Sequence, residues 1–214
     1  MIDEDSLIQK GGYVVGADEV GRGALAGPIV TCACAINQDF INQWGLQEDD
    51  IIIRDSKKMT RLQRTKSSNW LKNAVPVYQI SRVDPCAIDL SGIQTANKAA
   101  LLSALAKVVR KLSPISKRDV TIFVDHMDIG DVMGHEVTPL TKGESQSIAI
   151  AAASIIAKVY RDALMSEIAK EFPEYAWERN AGYGTKQHLE AIKKSGATPH
   201  HRKSYRLFSS AKIL

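Results

Sequence analysis

The stretch "YVVGADEVGRGALAGPIV", Tyr13 to Val30, begins as a strand and then changes abruptly to charged residues and glycines. Its apolar, β-branched start predicts a strand over Tyr13–Asp18. Asp18 and Glu19 end that strand, and a Gly-Arg-Gly run follows at once. Because adjacent strand side chains point to opposite faces, both acids can serve one site only if the chain turns there. Gly21 and Gly23 provide such a turn and let the backbone approach a ligand.

The composition indicates a globular protein of one domain, or of one domain with a terminal appendage. The chain has 214 residues, of which 44% are hydrophobic and 24% charged. A net charge of +4 permits a nucleic-acid partner but is a weak indication of one. Three cysteines without a Cys-x-x-Cys pair argue against a disulfide scaffold or a zinc site. We expect a cytoplasmic protein without membrane association, because the sequence contains no apolar signal core and no apolar run of about 18 residues. We expect a monomer, because nothing in the sequence indicates a dimer surface.

Alternating strand and helix patterns predict an α/β fold with a mixed sheet flanked by helices. The second strand lies close enough to the first to predict an antiparallel hairpin. The apolar strand ending at Val124 is expected inside the sheet, and Pro76 places another strand at an edge. The predicted strands and helices are Ile29–Ile36, Thr60–Asn73, Val75–Val83, Ile93–Leu112, Val120–Val124, Ser145–Phe172 and Lys186–Lys194. Residues 1–172 are expected to form the main domain, and residues 173–214 an appendage laid over it.

Two further acids stand where a site is expected. Asp125 ends the apolar strand "VTIFVD", and ligands of open α/β sheets bind at the carboxyl ends of strands. Glu144 lies just before the long buried helix. Asp125 can also be read as a turn residue, and Glu144 as a helix-start acid favoured by the helix dipole. Clustered carboxylates without His or Cys select Mg²⁺ or Mn²⁺, which commonly act in pairs on phosphate esters.

A polar stripe runs along the long buried helix. Ser154, Lys158 and Asp162 lie at helical spacing on an otherwise apolar surface. The preferred interpretation is a Lys158–Asp162 pair that supports the site rather than a direct metal ligand.

Three basic segments contain residues suited to phosphate contacts and ring stacking, although each can also be an ordinary solvated face. His200 and His201 are adjacent, so we interpret them as polar surface or phosphate contacts. The residues are Arg54, Lys57, Lys58, Arg61, Arg64, Tyr183, Thr185, Lys186, His188, His200, His201, Arg202, Lys203 and Arg206.

Five segments together resemble the ribonuclease HII family, the type 2 ribonucleases H. They are "GADEVGRGALAGPIV", "RDSKKMT", "IAAASIIAKVYRD", "GYGTKQH" and "TPHHRKSY", in order from about Gly16 to Tyr205. The resemblance implies a ribonuclease H-like fold with a C-terminal helical segment. It also implies cleavage of RNA in RNA–DNA hybrids and beside single ribonucleotides in duplex DNA, leaving 5′-phosphate and 3′-hydroxyl ends. Two Mn²⁺ or Mg²⁺ ions are expected in the substrate complex.

The resemblance also implies roles for individual residues. Asp18, Glu19 and Asp125 match the catalytic, metal-binding acids, and Glu144 stands where the family usually has Asp. The Gly21-Arg22-Gly23 loop matches the loop that contacts the ribonucleotide. Tyr183 matches the tyrosine that stacks on the sugar, and Lys57 is expected to contact substrate.

The sequence departs from the family pattern after the third acid. His126 follows Asp125 where the family often has Gly, which makes Asp128 a rival for Asp125 as the third acid. Two other functions stay open: a nucleic-acid-binding module with an inactive site, and a metal-dependent phosphoesterase for small molecules. A replication or repair protein is a further expected partner.

Overall fold

The computed structural model describes residues 2–9, 11–47, 51–112 and 119–205. The strands are β1 (Tyr13–Val20), β2 (Ile29–Ile36), β3 (Val77–Val83), β4 (Val120–Asp125), β5 (Asp131–Val132) and β6 (His135–Leu140). They form one mixed sheet in the order β3-β2-β1-β4-β6-β5. The predicted β1–β2 hairpin is confirmed, and so are the interior position of β4 and the edge position of β3.

The register brings the ends of two strands together. β1 and β4 run parallel, with Ala17 opposite Val124. The next residue of each strand is an acid, Asp18 or Asp125. Because the two strands end at the same edge of the sheet, both acids lie at one place.

Helices cover both faces of the sheet. They are α1 (Glu4–Ile8), α2 (Gln38–Gly45), α3 (Arg61–Ala74), α4 (Pro85–Ser91), α5 (Ile93–Leu112), α6 (Ile148–Glu171), α7 (Trp177–Asn180) and α8 (Lys186–Ser195). The predicted helix that begins after Thr60 is confirmed, since the Thr60 hydroxyl accepts from the Gln63 amide and the Gln63 side chain accepts from the Thr60 amide. The long helix begins later than predicted, because Ser147 caps it with a side-chain hydrogen bond to the Ile150 amide.

Two buried layers hold helices against the sheet. Val14, Cys32 and Cys34 face a core that includes α6. Val15 and Ala33 face the other core, which includes α5. A Cβ on Gly16 would lie 2.2 Å from the Ala149 carbonyl carbon, so α6 packs directly on β1. That close approach places the polar side chains of α6 beside the end of β1.

The described residues after α6 form a third, smaller core. Tyr175, Trp177 and Ile192 pack with Met165 of α6 and with Ala26 of the loop between β1 and β2. The loop between β1 and β2 is therefore held both by α6 and by the residues that follow it. Among the described residues, no helix combines the length and apolarity needed to cross a bilayer.

Candidate active site

Four carboxylates meet at the edge of the sheet where β1 and β4 end, and we call them the acid cluster. Asp18 and Glu19 are among the last three residues of β1, and Asp125 is the last residue of β4. Glu144 lies in a single 3-10 turn, Gly143–Ser145, just before α6. The Gly143 amide donates to Asp125 Oδ1 at 2.6 Å, which ties that turn to the end of β4. The structure thus brings together the four acids singled out in the sequence.

Two carboxyls of the acid cluster, those of Asp18 and Glu19, have raised pKa values. Asp18 is only 4% exposed, and this burial raises its pKa well above the ordinary value. The charges of Glu19, Glu144 and Asp125 raise the pKa of Asp18 further, while a hydrogen bond from Ser154 lowers it. Burial also raises the pKa of Glu19, against the lowering effects of Asn97 and Arg22. Such mutual repulsion is relieved by a cation.

Glu144 joins the acid cluster to the loop that contains Lys57. Its carboxylate accepts from the Ser56 amide at 2.7 Å and from Lys57 Nζ at 3.2 Å. The Ser56 and Ser154 hydroxyls lie 3.0 Å apart, so this loop also contacts α6. Partial burial alone would lower the pKa of Lys57, but the attraction of Glu144 outweighs it and raises the pKa. The Lys57 side chain is 81% exposed and open to a ligand.

The donor set fits a hard divalent cation. Within the described ranges, no three His, Cys, Asp or Glu side chains already form a closed set of metal ligands. The four clustered acids nevertheless supply only carboxylate oxygens, which Mg²⁺ and Mn²⁺ prefer. Burial and the neighbouring acids raise the pKa of Asp18, so its ionised form is destabilised and a bound cation would stabilise it.

Asn97 of α5 is a site residue that sequence reasoning missed. It is fully buried and hydrogen-bonds the Glu19 carboxyl. Its Oδ1 has no partner among the described residues. One signal was available, because an Asn at position 97 interrupts the apolar stripe that Ala96, Ala100, Leu101 and Ala104 form on α5.

The loop between β1 and β2, residues 21–28, is called the glycine loop below, and its conformation constrains Gly21. Gly21 has φ 89°, and a Cβ there would lie 2.1 Å from Arg161 Nε. A Cβ on Gly23 would meet no atom within 4 Å, so the surface at Gly23 is open. Arg22 Nη1 lies 4.0 Å from Glu19 Oε1, at the outer limit of an ion pair. An ion pair with Glu19 is therefore too weak to account for the presence of Arg22 in this loop.

Tyr183 and the polar stripe of α6 lie together. The Lys158 ammonium and the Arg161 guanidinium carbon stand 5.9 and 5.5 Å from the centre of the Tyr183 ring. Lys158 Nζ donates to Asp162 Oδ1 at 2.7 Å, as the spacing predicts. Leu25 and Ala26 donate to the Gly182 carbonyl, which joins the segment containing Tyr183 to the glycine loop.

Three residues of the predicted basic surface are buried instead. His188, His201 and Arg202 are at most 1% exposed. His188 Nε2 accepts from Trp177 Nε1 at 2.9 Å, and His201 Nδ1 accepts from the Thr198 amide at 2.9 Å. The interpretation of His201 as polar surface or phosphate contact is therefore wrong, as is that of His188 and Arg202 as exposed phosphate ligands. Arg206 lies outside the described residues.

The structure separates Asp125 from its rival Asp128. Asp128 Oδ1 accepts from the Gly130 amide within its own exposed turn. Asp125 is the residue whose charge acts on Asp18 and Glu19. His126 has φ 60°, a left-handed conformation that explains why Gly is favourable at this position.

A cleft of about 550 Å³ opens beside the acid cluster. It combines two of the acids with basic side chains, as a site for a phosphodiester requires. Its lining is Asp55, Lys57, Lys58, Asp125, His126, Thr141, Lys142, Glu144 and Ser145.

Comparison with known proteins identifies the family. The family model described as Ribonuclease HII matches residues 15–208. The chain belongs to the ribonuclease HII family. A Ribonuclease HII of Bacillus cereus strain G9842 is 39% identical over 94% of this chain and 72% of its own length. Membership makes the chain a ribonuclease H, a nuclease of the hydrolase class.

Solved structures share the fold of this ribonuclease HII family member. The ribonuclease H2 of Pyrococcus horikoshii OT3 superimposes with a TM-score of 0.73 at 25% identity, covering 91% of this chain and 94% of that one. Bst-RNase HIII in complex with Mn²⁺ gives a TM-score of 0.70 at 22% identity, over 94% of this chain and 70% of that one. The predicted ribonuclease H-like fold, a mixed sheet flanked by helices with helices at the C-terminus, is confirmed.

Proposed function

We propose that this protein hydrolyses the RNA strand of RNA–DNA hybrids and cuts 5′ of single ribonucleotides in duplex DNA. The products carry 5′-phosphate and 3′-hydroxyl ends. One observation carries the proposal: the buried Asp18 stands among three other acids, directly before a glycine loop with an open surface. Carboxylates alone would suit any phosphoesterase, but the adjoining loop supplies backbone groups that can distinguish a ribose from a deoxyribose.

The acid cluster is the proposed holder of two divalent cations, Mg²⁺ or Mn²⁺. When bound, such cations activate water and stabilise negative charge at the phosphate. Asp18, Glu19, Asp125 and Glu144 would be their ligands. The Mn²⁺ complex of Bst-RNase HIII, a protein of the same fold, supports this choice of metal class. Ser154 keeps Asp18 in place through a hydrogen bond, and Asn97 does the same for Glu19.

Substrate contacts are assigned to the rim of the acid cluster. Gly21, Arg22 and Gly23 are proposed to contact the ribonucleotide through backbone amides. Tyr183 is proposed to stack on the neighbouring sugar, since its ring lies over two cationic side chains that can also attract phosphates. Lys57, which is exposed beside Glu144, is proposed to bind a phosphate.

The remaining assignments are also proposals. Lys158 and Asp162 support Tyr183 as an ion pair on α6. Residues 1–172 form the catalytic domain, and residues 173–214 pack on it and reach the substrate. The protein works as a cytoplasmic monomer, and a replication or repair protein is a further partner.

The test uses a DNA duplex with one ribonucleotide, labelled at the 5′ end of the cut strand. The protein is incubated with it in Mg²⁺ or Mn²⁺, beside an all-DNA duplex and a continuous hybrid. Asp18→Asn is the inactivating variant, and the exposed Asp39→Asn is its matched control. We expect a single cut 5′ of the ribonucleotide, reduced by roughly a thousandfold or more in Asp18→Asn and unchanged in Asp39→Asn.

The outcomes separate the candidate functions. Cleavage of the hybrid without cleavage at the single ribonucleotide would remove the excision activity from the proposal. Tight binding without any cleavage in either metal would favour the inactive binding module. Near-normal turnover by Asp18→Asn would show that the acid cluster is not the catalytic site.

A further inference from the structure

Two fully buried arginines hold the glycine loop from behind, and we call them the arginine clamp. Arg161 lies on α6 and Arg202 in the segment after α8. Both guanidinium groups donate mainly to backbone carbonyl oxygens. Buried cations usually have a carboxylate partner. A pair that is satisfied by main-chain oxygens instead fixes the direction of those peptide groups.

Arg161 connects the end of the loop that precedes β2 to the segment containing Tyr183. It donates to the carbonyls of Pro28 at 2.9 Å, Ala26 at 3.1 Å and Ala181 at 2.8 Å. Its guanidinium also lies over the Tyr183 ring. The Gly21 Cα lies so close to Arg161 that a side chain would displace it.

Arg202 holds the first part of the loop. Its Nη2 donates to the Gly21 carbonyl at 2.7 Å, and its Nη1 donates to the Arg22 carbonyl at 2.8 Å. It also donates to the Gly27 carbonyl through Nε, at 3.1 Å. The Tyr205 hydroxyl donates to the same Arg22 carbonyl at 2.8 Å. Two successive carbonyls of the loop are thus turned inward.

The inward carbonyls dictate where two amides point. In a planar trans peptide, the N–H group is directed opposite to the carbonyl. With the Gly21 and Arg22 carbonyls on Arg202, the N–H groups of Arg22 and Gly23 face the other way. Neither N–H has a hydrogen-bond partner in the described part of the chain. The space next to Gly23 is also open. Two adjacent, outward amides form a small concave site for an oxygen ligand.

We infer that Arg202, supported by Arg161, is a positioning residue for ribonucleotide recognition. It locks the peptide groups of the loop so that the Arg22 and Gly23 amides are presented to the 2′-hydroxyl of the substrate. This inference rests on the proposed function. The arginines touch no substrate atom and act only through the backbone.

The test measures binding without cleavage. Affinities for a DNA duplex with one ribonucleotide and for the same all-DNA duplex are measured by fluorescence anisotropy in EDTA. The variant is Arg202→Lys, because one ammonium cannot occupy the positions of three guanidinium nitrogens. Arg110→Lys, at an exposed position in the last turn of α5, is the matched control. We expect the preference for the ribonucleotide duplex to fall roughly tenfold in Arg202→Lys, with affinity for all-DNA unchanged.

A milder variant protects the test against loss of folding. Tyr205→Phe removes one hydroxyl that donates to the Arg22 carbonyl and accepts from Arg202. It should reduce the same preference in the same direction but less. Circular dichroism establishes that each variant is folded.

The outcomes distinguish failure of the inference about Arg202 from failure of the proposed function. If the wild type prefers the ribonucleotide duplex and both folded variants keep that preference, the inference is overturned and the proposed function stands. If the variants weaken binding to both duplexes equally, the arginines serve stability alone, which also overturns it. A wild type without any preference contradicts ribonucleotide recognition itself.

Discussion

The acid cluster and the arginine clamp both bury charge near the glycine loop, but they satisfy it differently. Every guanidinium nitrogen of Arg161 and Arg202 donates to a backbone carbonyl, and Arg202 also donates to the Tyr205 hydroxyl. Burial raises the pKa of Asp18 instead, and the like charges around it raise that pKa further. Every nitrogen of the clamp thus has a partner within the protein, whereas the ionised form of the acid cluster is destabilised and would be stabilised by a bound cation. Incomplete satisfaction of buried polar groups is thus the feature that distinguishes the reactive region from the supporting one.

Breaking the clamp through the backbone should have the largest effect. Gly21→Ala combines a positive φ with a Cβ placed on Arg161 Nε. We expect the free energy of unfolding to fall by about 2 kcal/mol or more, together with cleavage activity. Urea unfolding measures the first quantity.

The matched control for this variant is Gly23→Ala. Its Cβ meets no atom within 4 Å, so stability should change by less than about 1 kcal/mol. Cleavage should still fall, since the methyl group would stand on the open surface of the loop. Equal unfolding free energies in the two variants would contradict the described packing of Arg161.

Asn97→Ala tests the supporting side of the acid cluster. Loss of the hydrogen bond to Glu19 should lower cleavage or metal affinity about 10- to 100-fold. The metal-dependent rise in melting temperature reports binding independently of activity. Asn73→Ala, at an exposed position of α3, should leave both quantities unchanged. Equal behaviour of the two variants would remove Asn97 from the site.

The acid cluster and the buried His201, next to Arg202 in the chain, should respond to pH in opposite directions. Burial and the neighbouring His188 and His200 lower the pKa of His201 to about 4. Its contribution to stability is therefore complete above its ordinary value of 6.5 and is lost as the pH falls towards 4. The raised pKa of Asp18 acts the other way, since the metal-free protein loses stability as the pH rises from 3.8.

Melting temperatures in EDTA from pH 8 to pH 5 separate the two contributions. Asp18→Asn should be more stable than the wild type at pH 8, and this gain should shrink as the pH falls. His201→Gln should be less stable than the wild type at pH 8, and its deficit should also shrink on acidification. A gain or deficit that does not depend on pH would show that the group does not titrate with folding.

The smallest expected effect concerns His126 beside the acid cluster. Its φ of 60° costs a residue with a side chain roughly 1 kcal/mol relative to Gly. His126→Gly should therefore raise the free energy of unfolding by about 1 kcal/mol or slightly less. Urea unfolding checks the direction, and a destabilised variant would mean that the His126 side chain contributes more than the strain removes.

Most of the sheet could be predicted from the sequence because its strands and helices carry regular patterns. The patterns identified β1–β4, α3, α5, α6 and α8. The helix α6 begins at Ile148, three residues later than predicted. The two missed strands are short or interrupted. β5 has two residues, and β6 contains Pro139, which the sheet tolerates because β5 pairs only with the first two residues of β6. The short α1, α2 and α4 likewise escaped prediction.

The acids of the site were also accessible to sequence reasoning. Asp125 ends an apolar strand and Asp18 lies two residues before the end of another, and the approximate position of a strand end follows from local hydrophobicity. Glu144 needed the family resemblance, because a helix-start acid is common without any function.

Only the tertiary structure decided which polar residues are buried and what they hold. Arg202 and Gly21 lie 181 residues apart in sequence, yet Arg202 Nη2 lies 2.7 Å from the Gly21 carbonyl oxygen. The sequence marks Arg202, His188 and His201 as polar and therefore favours the surface. The partners of Arg202 are largely backbone carbonyls, which every residue carries and no sequence pattern distinguishes. The two histidines bond mainly to side chains that are distant in sequence or to each other. The sequence by itself determined the elements and the reactive acids, whereas long-range packing determined the arginine clamp that holds the loop beside them.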